Sequence, residues 1–232
     1  MSVKIIYHGH SNLEIHSGAE IIQIDPFFTG NPLAEVTADK VNPGTILLTH
    51  AHSDHTGDAE GISKRTGAVI ASNYEITSHY EAKGCKTAPM NHGGSWKFPF
   101  GEAFYTIAFH TSSFADGTYG GQPGGWVVQT GGVTIYHAGD TALFGDMELI
   151  GRLFQIDLAC LPIGDCFTMG PKHAMLAAKM LRAKAVVPIH YNTFPQIKQD
   201  GAAFARDLQK QHGINGIPMK PGEMVEINKQ MS

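Results

Sequence analysis

The segment His50-Ala51-His52-Ser53-Asp54-His55 limits what this chain can fold into more than any other, because it follows directly on Thr45–Thr49. That run is a short apolar strand of the kind buried on both faces. In an extended chain, residues two apart point the same way, so His50 and His52 present their imidazoles to one point. Asp54 and His55 come after a turn and serve a second point nearby. Imidazole and carboxylate together suit divalent transition metals. Four side chains on one loop cannot enclose two ions, so further donors must come from elsewhere. Strand ends that open into loops are where sites of α/β folds gather. Three positions qualify: His110 after Ala103–Phe109, Asp140 after Val133–Tyr136, and His190 after Ala185–Ile189.

Periodicity sets the framework around these positions. Val3–Tyr7, Leu13–His16 and Ile21–Asp25 read as an antiparallel meander broken at Ser17-Gly18 and stopped by Pro26. Helices are expected over Asp58–Arg65 and Tyr74–Lys83, closed by Gly67 and Gly84, with the strand Val69–Ser72 between them. Trp126–Gln129 and Val133–Tyr136 flank Thr130-Gly131-Gly132, a tight-hairpin signal. Leu143, Met147, Ile150 and Phe154 fall on one helical stripe, and Ala174, Ala177, Ala178 and Leu181 on another. A helix over Ala202–Gln211 and strands at Gly216–Met219 and Met224–Ile227 close the chain. Strands first in a meander, then alternating with helices in both halves, imply sheets at the centre with helices outside. The 232 residues read as one domain, with no linker, repeat or low-complexity tract dividing them.

Beyond these segments, the sequence resembles the metallo-β-lactamase superfamily, in which HxHxDH is followed by a distant His, Asp and His in that order. It is most similar to the small metal-dependent hydrolases of uncertain substrate related to L-ascorbate-6-phosphate lactonase. That narrower likeness rests on Gly9-His10-Ser11, Ile24-Asp25-Pro26-Phe27 with Gly30-Asn31-Pro32, and Tyr136–Thr141. Leu161-Pro162-Ile163-Gly164, Phe167–Pro171 and Pro188–Pro195 also carry it. The resemblance implies an αββα sandwich, two mixed sheets face to face with helices outside, and a two-metal site at one edge. Carried over, His50, His52 and His110 hold one ion, Asp54, His55 and His190 hold the other, and Asp140 bridges them. Asp25 then fixes the HxHxDH loop from behind. The chain departs from the family pattern at Asn12 and Glu14, where apolar residues are expected.

The activity so implied is hydrolysis of a small ester-type substrate, a phosphodiester, lactone or related ester, by hydroxide generated between two ions. Asp54 and Asp140 belong to that machinery, and His10 is expected to contact substrate or help protonate a leaving group. Zn, Mn, Fe, Co and Ni all tolerate five His and two Asp, so the donor set does not select the metal. Two other readings stand beside it: a di-iron redox protein on the same scaffold, and a metal-binding protein without turnover. His137 reads as structural, His92 as an ordinary histidine, and the Gly-rich stretch 116–125 as a mobile loop that could serve as a lid.

Composition narrows the partners. Lys+Arg 17 against Asp+Glu 21 gives a net charge of −4, which argues against a nucleic-acid-binding domain. No stretch approaches the length of a membrane span. The three Cys show no pairing pattern, and the start carries no apolar run long enough for a signal peptide, so a soluble, cytoplasmic protein is expected. Its expected partner is a small-molecule substrate, with neither nucleic acid nor membrane, and self-association into a homo-oligomer is left open.

Overall fold

Alternation along each strand decides its packing in the computed structural model, which describes residues 2–228. In β1 (Val3–Tyr7), Val3, Ile5 and Tyr7 turn to one face and are buried, while Lys4 turns to the other and is exposed. β1, β2 (Leu13–Ser17) and β3 (Glu20–Ile24) form the antiparallel meander. β4 (Thr45–Leu47), β5 (Val69–Asn73) and β6 (Thr87–Met90) then extend the sheet in parallel. β14 (Met224–Ile227) returns to pair with β1, completing seven strands.

The second sheet also has seven strands. β7 (Ser95–Phe98), β8 (Gly101–Ile107), β9 (Gly124–Thr130) and β10 (Val133–His137) run antiparallel. β11 (Leu158–Pro162), β12 (Ala185–Ile189) and β13 (Asn215–Gly216) add in parallel. β11 shows why central strands read as unbroken apolar runs. Its Leu158 and Cys160 join the core between the two sheets, while Ala159 and Leu161 join the core under the helices. That outer core packs α4 (Met147–Leu153), α5 (Pro171–Met180) and α6 (Gly201–His212) on the second sheet. A third apolar cluster packs α2 (Ala59–Thr66) and α3 (Tyr74–Ala82) on β4 and β5. The layers therefore run helix, sheet, sheet, helix, as the resemblance implies.

Several elements differ from expectation, each for a local reason. β6 contains Pro89 and β7 is an exposed sheet edge, so neither carries a clear strand pattern. β11 is an apolar run of five, which periodicity alone does not distinguish from a buried helix segment. The stripe from Leu143 to Phe154 holds a helix only over Met147–Leu153, because Leu143 and Phe144 belong to the loop that follows Asp140. The last two strands are not neighbours: β13 closes the second sheet and β14 the first. Asn12 and Glu14 are answered by other polar residues. Asn12 accepts a hydrogen bond from Gln23, and the buried Glu14 accepts from His8 at 3.2 Å and from His16. Burial alone raises the Glu14 carboxyl, but these two imidazoles outweigh it and hold it below its ordinary value.

Strand direction places the site. β3, β4 and β5 are mutually parallel, and β1 runs with β3 because β2 is antiparallel to both. β8, β10, β11 and β12 likewise share one direction. His10, Asp25, His50, His110, Asp140 and His190 each follow the carboxyl end of one of these strands. Residues far apart in the chain thus reach one edge of the sandwich.

Candidate metal centre

A single buried carboxylate sets the HxHxDH loop. Asp25 Oδ1 accepts the Thr49 N–H at 2.9 Å, and Oδ2 accepts the Thr49 hydroxyl at 2.7 Å and His55 Nδ1–H at 2.8 Å. Since the Thr49 proton goes to Asp25, Thr49 Oγ1 can only accept from His50 Nδ1, 3.0 Å away. Both imidazoles are thereby fixed with the proton on Nδ1 and the lone pair on Nε2. α1 (Ser53–Thr56) then carries Asp54 and His55 round the turn. Asp25, His10 and His190 all take left-handed backbone angles, φ 46, 58 and 54. Such angles are costly for residues with a Cβ and cluster where surrounding structure enforces them.

The seven expected donors are brought together. Asp140 Oδ2 lies 2.9 Å from His190 Nε2, 3.4 Å from His55 Nε2, 3.5 Å from His110 Nε2 and 4.0 Å from His50 Nε2. His52 turns its Nδ1 to 3.0 Å from His50 Nε2. Donor atoms mutually within 4.8 Å of one another form three overlapping groups. One is His50, His52 and His110; one is His50, His55 and Asp140; and one is His10, Asp54, His55 and His190. Asp140 thus stands between the donors expected for one ion and those expected for the other.

Electrostatics keeps His50, His52, His110, Asp140 and Asp54 in the forms a cation needs. Burial pushes His50 well below its ordinary value and lowers His52 and His110, which leaves their lone pairs free. Burial raises Asp140, but the imidazoles of His190 and His55 outweigh it and hold the carboxyl well below the carboxylate range. Burial likewise raises Asp54, and the hydrogen bond from His10 followed by the charge of His55 brings it down instead. His55 is the exception: burial lowers it, but Asp140 and Asp25 lift it well above its ordinary value, so in the absence of an ion it also holds a proton on Nε2, which a cation would displace.

The unsatisfied polar atoms test whether a cation fits. Among the described residues nine buried side-chain atoms lack a hydrogen-bond partner, and four of them belong to the candidate donors: His55 Nε2, both nitrogens of His190 and Asp140 Oδ1. Buried groups left unpaired are costly and rare, and three of these four belong to the atoms that would face an ion. The residues present therefore fit divalent cations.

His10 is completely buried rather than open to a ligand. Its Nε2 lies 3.2 Å from Asp54 Oδ2 and its Nδ1 2.9 Å from Thr193 Oγ1. With the carboxylate accepting, Nε2 carries the proton and Nδ1 accepts from the Thr193 hydroxyl. The ring packs 4.1 Å from that of His190, and burial brings His10 down to about 4. Thr193 has no motif around it and is legible only once the fold sets it beside His10. His137 has the structural place expected of it: Nε2 donates to the Ser11 carbonyl at 3.0 Å and Nδ1 accepts the Gly139 N–H at 3.2 Å. This ties the turn before Asp140 to the turn after His10.

The tip of the 116–125 stretch is exposed, and of its second half only Gln122 is. Residues 115–119 are exposed, whereas Gly120 is buried against Ala51 of the HxHxDH loop, Gly121 against Asn73 and Gly124 against Tyr105. Asn73 Nδ2 donates to the carbonyls of Gly120 and Gln122, at 2.8 and 3.0 Å, and Gly124 N–H donates to Thr49 O at 2.9 Å. A Cβ at Gly120 would lie 2.2 Å from Ala51 Cβ. In this structure the second half of the stretch forms part of the wall of the site.

A family model described as Beta-lactamase superfamily domain matches residues 21–191. The chain is 52% identical over 226 residues to a UPF0173 metal-dependent hydrolase of Thermus thermophilus, covering 97% of this chain and 100% of that one. It is 48% identical over 229 residues to a UPF0173 metal-dependent hydrolase of Anoxybacillus flavithermus, with the same coverage. Among solved structures it superposes with TM-score 0.92 and 38% identity on Igni18, described as a novel metallo hydrolase of Ignicoccus hospitalis, over 99% of this chain and 100% of that one. With the fold, the strand-end donors and these likenesses in agreement, the chain belongs to the β-lactamase superfamily and, within it, to the UPF0173 metal-dependent hydrolases.

Proposed function

We propose that this hydrolase works with two ions bridged by Asp140 and cleaves an ester-type bond in a small molecule: a phosphodiester, a lactone or a related ester. The observation that carries the reading is the convergence of four histidine Nε2 atoms on Asp140 Oδ2, all within 4.0 Å, on a carboxylate almost without exposure. His50, His52 and His110 would hold one ion and Asp54, His55 and His190 the other. When bound, such ions bring the pKa of water from 15.7 toward about 7 and polarise the bond under attack.

The chain's own residues do the rest. Asp25 and Thr49 hold the two histidine tautomers, so the lone pairs are aimed before any ion arrives. His10 works through Asp54: its Nε2–H holds one carboxylate oxygen and Thr193 holds its far side, which makes it a positioning residue. Asp54 keeps 28% of its side chain exposed, and the hydrogen bond from His10 holds it as the ionised carboxylate that a cation needs. No side-chain nucleophile is required. Among the described residues no helix is long and apolar enough to cross a membrane.

The test is a panel of phosphodiesters, lactones, carboxylic esters and thioesters presented to the protein after chelation and after reloading with Mn or Zn. Hydrolysis of an ester that disappears with the chelator, returns with the metal and is lost in Asp140→Asn is the expected result. Hydrolysis indifferent to chelation, or none from a fully loaded protein, overturns the reading.

A further inference from the structure

Beside the metal centre the surface opens into a cleft of about 450 Å³, of which His110 is one wall. This is within the size range of small-molecule sites. Ile107 and Phe109, from the end of β8 and the residues after it, line it together with His92 and Pro123. No Lys or Arg is among its lining residues, so nothing there matches a phosphate or other strong anion.

Phe109 is the informative member. It is 59% exposed, although it stands next to a candidate metal ligand. Its backbone is nevertheless fixed: the N–H donates to Thr141 Oγ1 at 3.0 Å, and the carbonyl accepts the Ala142 N–H at 3.1 Å. The ring rests on Phe144, with centroids 5.4 Å apart. Phe109 is thus locked between His110 on one side and the loop after Asp140 on the other. A group wedged against it is held at a set distance from the reacting centre. The opposite wall is equally firm. His92 Nε2–H donates to the Pro123 carbonyl at 3.0 Å, and its imidazole lies on Tyr105 with centroids 4.9 Å apart.

We propose that this cleft binds the apolar group, aryl or branched alkyl, on the acyl side of the substrate, so that the preferred substrates are carboxylic esters or lactones with an apolar acyl part rather than phosphate-bearing ones. The inference rests on the hydrolase reading of the same site. It goes further by naming the substrate class and by making Phe109 its specificity determinant.

The test separates the two. Acetate, propionate, butyrate and phenylacetate, which mimic the acid product, are titrated calorimetrically into the metal-loaded full chain. In parallel, phenyl esters of the same acids are assayed for hydrolysis. Each added methylene that enters the cleft is expected to tighten binding about fourfold. Phenylacetate is expected to lose about tenfold in Phe109→Ala, with Phe109→Leu keeping most of the gradient. In the hydrolysis series the gradient should appear in KM more than in kcat. A flat series in the wild-type protein, or a gradient as steep in Phe109→Ala, overturns the assignment of the cleft even if every ester is hydrolysed. If no ester is hydrolysed but the binding gradient is present, the cleft still binds an apolar group, while the proposed substrate class is overturned together with the catalytic reading.

Discussion

Asp25→Asn is the substitution whose consequences the structure determines most fully. The aspartate accepts three hydrogen bonds with no exposure to solvent: two from Thr49 and one from His55 Nδ1. An isosteric amide can replace only one of its oxygens. If the amide oxygen stays on the Thr49 N–H, the NH2 faces Thr49 Oγ1 and His55 Nδ1, both of which now donate. The Thr49 hydroxyl would then have to accept from the amide and turn its proton toward His50 Nδ1. His50 and His55 would both move their proton to Nε2, the atom that faces Asp140. If the amide turns over instead, its NH2 meets the Thr49 N–H and leaves a buried donor unpaired. In the first case each misdirected ligand costs about ten- to a hundredfold in metal affinity. In the second the metal-free fold loses roughly 1–3 kcal/mol. Metal affinity by competition with a chromophoric chelator, together with urea unfolding of the metal-free protein, reads both. Affinity within threefold of wild type combined with unchanged unfolding would refute the tautomer argument.

Three other substitutions test the surroundings. Gly124→Ala would put a Cβ 2.4 Å from Tyr105 Cζ and 2.6 Å from the Thr106 carbonyl, beside the Thr49 backbone. Overpacking of this kind costs about 1–3 kcal/mol by chemical denaturation and should loosen metal binding with it; a neutral result would mean the wall yields freely. Thr193→Val removes the hydroxyl that donates to His10 Nδ1. It should weaken the ion held by Asp54 about tenfold, and Thr193→Ser should restore it; equal loss in both variants would point to packing alone. Glu14→Gln tests the buried carboxylate between His8 and His16. Its folded pKa is below the ordinary 4.5, so it contributes stability above pH 4.5 that is lost as pH falls through the lower folded value. The gap between wild type and variant should be about 2 kcal/mol near neutrality and close as pH falls through the lower folded value. A gap that does not change with pH would contradict the ionic account.

How far the site could be read from sequence follows from how its residues are spaced. His50, His52, Asp54 and His55 are nearly consecutive, so alternation pairs the first two and the turn after them brings in the others. His110, Asp140 and His190 each follow an apolar strand, and strands that share a direction deliver their ends to one edge. The role of Asp25 comes from the family resemblance, with which its place at a strand end agrees. Thr193 and Asn73 are not legible in the sequence, because an ordinary hydroxyl or amide gains its part only from what the fold places opposite it. Gly120 and Gly121 read as loop chemistry, yet their missing side chains are needed by Ala51 and Asn73. The separation of β13 from β14 into different sheets likewise has no local signal, since it depends on which edge is free. His10 lies in a motif, but its burial and its bond to Asp54 are long-range facts.

Anomalous diffraction from crystals of the manganese- or zinc-loaded protein tests the central claim most directly. Two peaks are expected, one among His50, His52 and His110 and the other among Asp54, His55 and His190, with the Asp140 carboxylate within coordinating distance of both. A single peak, or two peaks of which Asp140 touches only one, would contradict it.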